Sequence, residues 1–338
     1  MKRKLRVLVL LHPDLMPPDS LKGQTDKDIN VWKTEYDVVS TLRAAGHEVM
    51  PLGVQYELKP IRDAIEEFKA DVAFNLLEQF HGETAYDTNV ASYLELLKIP
   101  YTGCNPRGLM LARGKALSKK LVAYHRIPVP AFAVFPMRRK VKRPARLGFP
   151  LIVKSVSEDA SIGIAQASVV ENDEKLEERV VFIHEKVGTD ALVEQYIEGR
   201  ELYVGVIGND RLAAFPTREL VVANLKENAP LIATERVKHN LAYQRKHGID
   251  QVPAENLPPN VAATIAHLSK RIYRILELTG YARLDYRLSP DGQLYFLEAN
   301  PNPEIAQGEE FASAAQEAGL SYQDLMQRIV NLGMRGAA

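Results

Sequence analysis

The sequence predicts an α/β fold, with a parallel sheet covered by helices at its N-terminal end and α+β elements after it. Three observations carry this. Between Leu5 and Leu76, apolar runs of strand length alternate with stretches of helical periodicity, joined by short connections. Residues 280–303, GYARLDYRLSPDGQLYFLEANPNP, read as an antiparallel hairpin. The 338 residues, 46% of them hydrophobic, can bury sizeable cores in two or three domains.

Taken in order, Leu5 and Val7 to Leu11 form a first buried strand. The basic residues of MKRKLRVLVLLHPD before an apolar run imitate a secretion signal, but the run is brief and no small-residue cleavage site follows. Helical periodicity covers 31–45 and stops at Gly46, 47–52 is a strand, 60–70 is a helix opened by Pro60, and 71–76 is a third strand. Ligands of such sheets sit beyond the carboxyl ends of strands. That singles out the loop 12–28 and the segment 77–83, where Glu78, His81 and Glu83 are polar groups within reach of a pocket.

A helix over 89–98, a short strand over 99–102 and a helix over 108–125 follow, with a first domain boundary near 102–113. The Lys/Arg-rich stretch 137–146 lacks interleaved aromatics and reads as a solvated loop rather than a nucleic-acid patch. The strand 149–154 ends in Lys154, and the small polar residues 155–164 form either a plain hairpin loop or one that folds over phosphates. A helix over 172–187 precedes two strands over 191–202 that turn at Glu198-Gly199, and a second hairpin turns around Gly208. Residues 223–258 are long, polar and poorly periodic, which makes them a candidate lid. Helices over 260–278, 311–318 and 322–332 complete the elements.

In the hairpin, Ser289-Pro290-Asp291-Gly292 is the turn. A four-residue loop sets Leu288 opposite Gln293 and Arg283 opposite Glu298. Alternation then gives Arg283, Asp285, Glu298 and Asn300 one face, and Ala282, Leu284, Tyr286, Leu288, Tyr295, Leu297 and Ala299 the core face. Gathered carboxylates repel, and a hard divalent cation resolves this. Mg²⁺ or Mn²⁺ would take oxygens from Asp285, Glu298 and Asn300 and keep positions for water and phosphate. The alternative is an exposed face laced by Arg283–Glu298 and Arg287 ion pairs.

Lys+Arg 43 against Asp+Glu 43 leaves no bulk charge to draw nucleic acid or a membrane. One cysteine, Cys104, excludes an intramolecular disulfide or a cysteine metal cluster and fits a reducing, cytoplasmic setting. No stretch approaches the roughly 18 apolar residues of a membrane span.

The segments FNLLEQFHGE, IPYTGCNP, RGKALSKK, IPVP, FPLIVKSVSEDASIG, VEQYIEGRELYV, GYARLDYRL and YFLEANPNP occur in the order and spacing of one family. From about Asp71 onward the chain resembles the D-alanine–D-alanine ligases of the ATP-grasp superfamily. The resemblance implies a three-domain ATP-grasp fold: an N-terminal substrate-side domain over 1–107, a central subdomain over 108–193, and a C-terminal subdomain with the metal-binding hairpin over 194–338. It implies ATP as cosubstrate, amino-acid or peptide substrates, and a homodimer. By motif, Lys115 and Lys154 contact phosphates, Glu194 and the backbone of Tyr196 and Ile197 hold the adenine edge, and Glu201 accepts from the ribose. Asp285, Glu298 and Asn300 hold the metal, Arg283 stabilises the oxyanion, and Lys238 reaches the γ-phosphate from the lid.

Departures fall on the substrate side. The family's Ser-Ser pair is Ala160-Ser161 here, of which Ser161 keeps a hydroxyl at the phosphate loop. His239 follows Lys238 where the family has a tyrosine, and no GxSxE-like segment follows the first strand. The Ser-Leu that receives the second substrate's carboxylate is replaced by the stretch 302–307, beginning with Asn302. An ATP-dependent carboxylate–amine ligase with altered amino-acid specificity is therefore expected, in which Glu78 or Glu83 takes the substrate ammonium. A D-alanine–D-alanine ligase proper and a non-catalytic nucleotide-binding regulator are the alternatives. No GxGxxG follows the first strand, which disfavours a dinucleotide-binding dehydrogenase.

Overall fold

The computed structural model describes residues 4–156, 166–223, 243–244 and 247–336. The N-terminal sheet is parallel, with β1 (Arg6–Leu11) between β2 (Glu48–Gly53) and β3 (Val72–Asn75). Val7 to Leu11 are all buried, the unbroken apolar run that a strand covered on both faces requires. Its helices are α1 (Asp26–Val31), α2 (Lys33–Ala44), α3 (Lys59–Phe68) and α4 (Asp87–Leu96). The helix expected over 31–45 is α2, and Trp32 at φ −124°, ψ 25° separates it from a further helix, α1, which a Thr25–Asp28 capping box starts upstream. The strand expected over 99–102 reduces to one bridge, Ala73 to Tyr101.

Helices α5 (Pro106–Arg113) and α6 (Lys115–Tyr124) replace the continuous helix expected there, with the break at Gly114. Next come β4 (Phe132–Phe135), β5 (Leu151–Ser155), β6 (Val169–Val170), α7 (Asp173–Phe182) and β7 (Ala191–Gln195), forming an antiparallel sheet in the order β4-β7-β5-β6. Leu176 and Val180 of α7 bury themselves against Leu151, Val153 and Val193 of this sheet.

The second antiparallel sheet contains β8 (Arg200–Ile207), β9 (Ala213–Ala214), β10 (Arg218–Val222), β11 (Ile249–Pro253), β12 (Tyr281–Leu288) and β13 (Leu294–Pro301). Its order is β11-β10-β8-β12-β13, with β9 on β8. Strand β11 is a correction to the structureless reading of 223–258, most of which lies outside the described residues. Helices α8 (Pro259–Ile275), α9 (Glu310–Glu317) and α10 (Tyr322–Gly336) complete the set. Leu325, Met326, Ile329 and Val330 of α10 pack into the core of the N-terminal sheet with Val7, Val9, Val38 and Phe74. Each such burial contributes about 1.5–3 kcal/mol, so α10 holds the N-terminal sheet against the end of the hairpin. No described helix is long and apolar enough to cross a membrane.

The hairpin register differs from the expected one in two places. Ser289 N–H donates to Gln293 O, and Gly292 adopts φ 82°, so the loop takes one residue more and Leu288 pairs with Leu294. The register slips again between Asp285 and Tyr286, leaving Leu297 as an extra residue. Arg283 therefore faces Asn300, and Asp285 faces Glu298. Two one-residue offsets restore parity for the polar set, whereas a single offset inverts it in between. Leu294 and Phe296, not Tyr295 and Leu297, consequently join Ala282, Leu284, Tyr286, Leu288 and Ala299 in the core.

Candidate active site

On β12, burial alone would lower the Arg283 pKa, but the adjacent Asp285 carboxylate outweighs it and holds the guanidinium well above its ordinary value. The contact is bidentate: Arg283 Nε lies 2.7 Å from Asp285 Oδ1 and Nη2 lies 3.0 Å from Oδ2. The guanidinium also sits 4.9 Å from the centroid of Tyr203, the β8 residue that faces Asp285. Asn300 Nδ2 donates to Asp285 Oδ2 at 3.0 Å.

These residues fit a hard cation. Asp285 and Glu298 bring two carboxylates opposite each other, and Asn300, which commits its N–H₂ end to Asp285 Oδ2, keeps its carbonyl oxygen as the ligating end. No group of three His, Cys, Asp or Glu residues is assembled for a metal among the described residues, so a cation here would rest on two carboxylates, an amide and ligands from outside the protein.

A second charged cluster joins the two antiparallel sheets. Glu194 on β7 is buried, with Lys119 Nζ at 3.0 Å and Lys154 Nζ at 3.1 Å. Burial pushes the Glu194 carboxyl up, yet the two ammonium charges outweigh it and bring its pKa below the ordinary value. Lys154 is desolvated by burial but held above its ordinary value by Glu194, Glu298 and Glu201, so it ties β7 electrostatically to the hairpin. Lys119 Nζ donates to the carbonyl of Leu297, the residue left extra by the register slip. Glu201 accepts from Arg287 Nη2 at 2.7 Å and from Tyr203 Oη at 2.9 Å. Tyr196 carries Arg287 5.8 Å from its ring centroid, Ile197 beside it is buried, and Lys115 is buried in the first turn of α6.

A cavity of about 670 Å³ opens between the hairpin face and the carboxyl end of β3. Arg283, Asn300 and Asn302 line it together with Asn75, Glu78 and Glu35. Asn302 is held by the fold: its Oδ1 accepts from Cys104 N–H at 2.8 Å, and a Cβ on Gly103 would come within 2.7 Å of that oxygen. His81 and Glu83 are exposed and are not in the described lining of this cavity. His81 instead meets Tyr56 edge-on at 5.0 Å, and Glu83 N–H donates to Phe80 O in a tight turn. Ser161, Lys238 and the neighbouring Ala160 and His239 lie outside the described residues.

Several site residues escape a reading of the sequence. Lys119 follows Lys115 by one helical turn, a spacing that puts both on one face of α6. Glu310 on α9 is buried 3.7 Å from Arg283 Nε. Burial pushes its carboxyl up to about 7 against the pull of Arg283, and neither oxygen has a hydrogen-bond partner among the described residues. Glu35 sits on the buried face of α2 with Val38, Val39 and Leu42, where an acid breaks an apolar stripe.

A parallel sheet set beside two antiparallel sheets that hold buried lysines between them is the ATP-grasp architecture of ATP-dependent ligases. Comparison with known proteins agrees. A model of the D-ala D-ala ligase C-terminus matches residues 121–331. A D-alanine–D-alanine ligase of Desulforudis audaxviator is 32% identical over 300 residues, spanning 87% of this chain and 90% of that one. The structure of D-alanine–D-alanine ligase from Bacillus anthracis complexed with ATP superposes with a TM-score of 0.74 at 22% identity, covering 98% of each chain. The VanG D-Ala:D-Ser ligase from Enterococcus faecalis does so at 0.72 and 19%, covering 98% of this chain and 100% of that one. The chain belongs to the D-alanine–D-alanine ligase family. It is an ATP-dependent, amide-bond-forming ligase.

Proposed function

We propose that the chain joins two amino-acid or peptide substrates through an acyl phosphate, and that its first substrate is not D-alanine in the pose usual for the family. A substrate carboxylate oxygen attacks the γ-phosphorus of ATP and ADP leaves; the amine nitrogen of the second substrate then attacks the acyl carbon, and phosphate and a proton depart. Lys154 and Lys119 offset charge on the nucleotide, and Glu201 receives the ribose. Asp285, Glu298 and Asn300 would hold Mg²⁺, which when bound neutralises phosphate charge. Arg283 stabilises the tetrahedral oxyanion, with Asp285 and Glu310 fixing its orientation.

The observation that supports this most is the position of Arg283. Its fork is fixed by Asp285 next to paired Glu298 and Asn300, and it lines the same cavity as the end of β3. A nucleotide-binding regulator has no need of a buried cation fixed at that place. Altered substrate choice rests on Ala160 and His239 in the sequence and on the carboxylates along the cavity.

The test is an ADP-release screen with Mg-ATP against paired D- and L-amino acids and dipeptides, followed by mass detection. The expected result is one pair that yields ADP together with a product of the summed mass less water. ATP binding without stimulation by any pair would favour the regulator, and efficient D-alanine dimerisation, at roughly 10⁴ M⁻¹s⁻¹ or above, would overturn the altered specificity.

A further inference from the structure

The lining of the cavity is acidic in a way that neither the metal nor the nucleotide uses. Glu35 from α2, Glu78 from the end of β3 and Glu304 after β13 come from three separate elements and line the same space. Glu35 is only 6% exposed. Among the described residues its carboxylate meets nothing but its own backbone N–H.

Burial holds the Glu304 carboxyl above its ordinary value, outweighing the charges of Lys33 and Arg283 and the Thr34 hydroxyl from which it accepts at 3.5 Å, and no described cation is paired with Glu35. Lys33 Nζ lies 3.1 Å from Asp37 and also donates to the Gln307 carbonyl, Arg113 is paired with Asp87, and Arg283 with Asp285. Burying a carboxylate with no partner is costly, and bringing two others towards it adds repulsion. A small cation entering the cavity removes both costs. An alkylammonium fits best, since its three N–H donors can be shared among separate carboxylates, and the volume is in the range of small-molecule sites.

We propose that Glu35, with Glu78 and Glu304, forms a cation subsite that receives an alkylammonium group of an amino-acid substrate, Glu35 being its specificity-determining residue. This rests on the ligase reading above. Burial, together with the Glu78 and Glu304 charges, holds the Glu35 carboxyl at about 7, so the site has an electrostatic deficit that a bound cation relieves. The ammonium is either the α-amino group or one on the side chain, and the two sources are separable.

The experiment is calorimetric titration of the full chain, with and without Mg-AMP-PNP. The probes are alanine against lactate and lysine against norleucine, each in both chiralities. One amine-bearing compound should bind at least about tenfold tighter than its partner, and Glu35→Gln should remove most of that ratio, as loss of a charged hydrogen-bond acceptor does. A preference for alanine over lactate identifies the α-ammonium, and one for lysine over norleucine the side-chain ammonium. Glu304→Gln, on an exposed side chain, reads the same ratio if Glu35→Gln does not fold. Unchanged ratios in the variants, or no preference for any amine-bearing compound, would overturn the subsite. Failure of Mg-AMP-PNP to bind would count instead against the ligase reading, leaving the amine titrations to decide the subsite alone.

Discussion

Asp285 stands directly opposite Glu298 across β12 and β13, at the point where the register slips. The slip lets Phe296 and Leu294 stay in the core while Glu298 turns to the charged face. It also leaves the Leu297 carbonyl to accept from Lys119, which couples α6 to the hairpin. Glu298→Gln keeps the shape of the side chain and removes the charge of a proposed metal ligand, so the fold should survive and turnover should not. A loss larger than the ~10–100-fold seen for residues behind a metal's ligands is expected, read as ADP release at ordinary Mg²⁺ with circular dichroism as the control for folding. Near wild-type rate would remove Glu298 from the metal site.

Arg283→Lys should bind ATP almost normally and lose roughly 10²–10³ in kcat, the cost of one oxyanion donor. An ammonium keeps the charge beside Asp285 and Glu310 but cannot present two donors in a fixed fork. The measurement is kcat and KM for ATP separately. Weakened ATP binding with an intact rate at saturation would make Arg283 a nucleotide contact.

The Glu194 cluster predicts an acid limb of stability. Burial opposes ionisation of Glu194, but Lys119 and Lys154 prevail and its folded pKa lies below the unfolded one. Its contribution is then fully present above the unfolded pKa and is lost as pH falls through the folded value. Glu194→Gln should flatten the fall in melting temperature on the acid side of the unfolded carboxylate pKa. At neutral pH it should cost up to about 3–5 kcal/mol, because the buried Lys119 and Lys154 lose their shared anion, and burial already holds Lys119 below its ordinary value. Urea titration at neutral and acid pH checks both. An acid limb as steep as that of the wild type would show that other groups set it.

The parallel sheet and the polar face of the hairpin were legible because each depends on local periodicity: five buried residues in β1, and four polar residues spaced by two along β12 and β13. Register was not, since it depends on the Ser289–Gln293 hydrogen bond and on one extra residue, neither of which alternates. Strands β10 and β11 were hidden because short polar-containing strands gain their definition from partners distant in sequence, β8 among them. The same holds for Arg287 with Glu201 and for Glu310 beside Arg283: each is an unremarkable charge until the fold brings its neighbour. Glu35 did carry a signal, a lone acid on the apolar face of α2, and such a position calls for an explanation from the fold.

That residue gives the last prediction. Desolvation raises the Glu35 carboxyl from 4.5 to about 7, with its own backbone N–H opposing and Glu78 and Glu304 adding to the rise. A carboxyl whose folded pKa is raised is most compatible with the fold while protonated, so its share of stability is present below the unfolded value and is lost as pH rises through the folded one. The substrate-free protein should therefore lose stability between about pH 4.5 and about pH 7, by up to ~3 kcal/mol on conversion of the shift. Glu35→Gln should be more stable than the wild type above pH 7 and show a flatter profile through that window. Melting temperature against pH for both proteins measures it. Parallel curves would mean that Glu35 ionises without cost and that its burial in the cavity wall is already compensated.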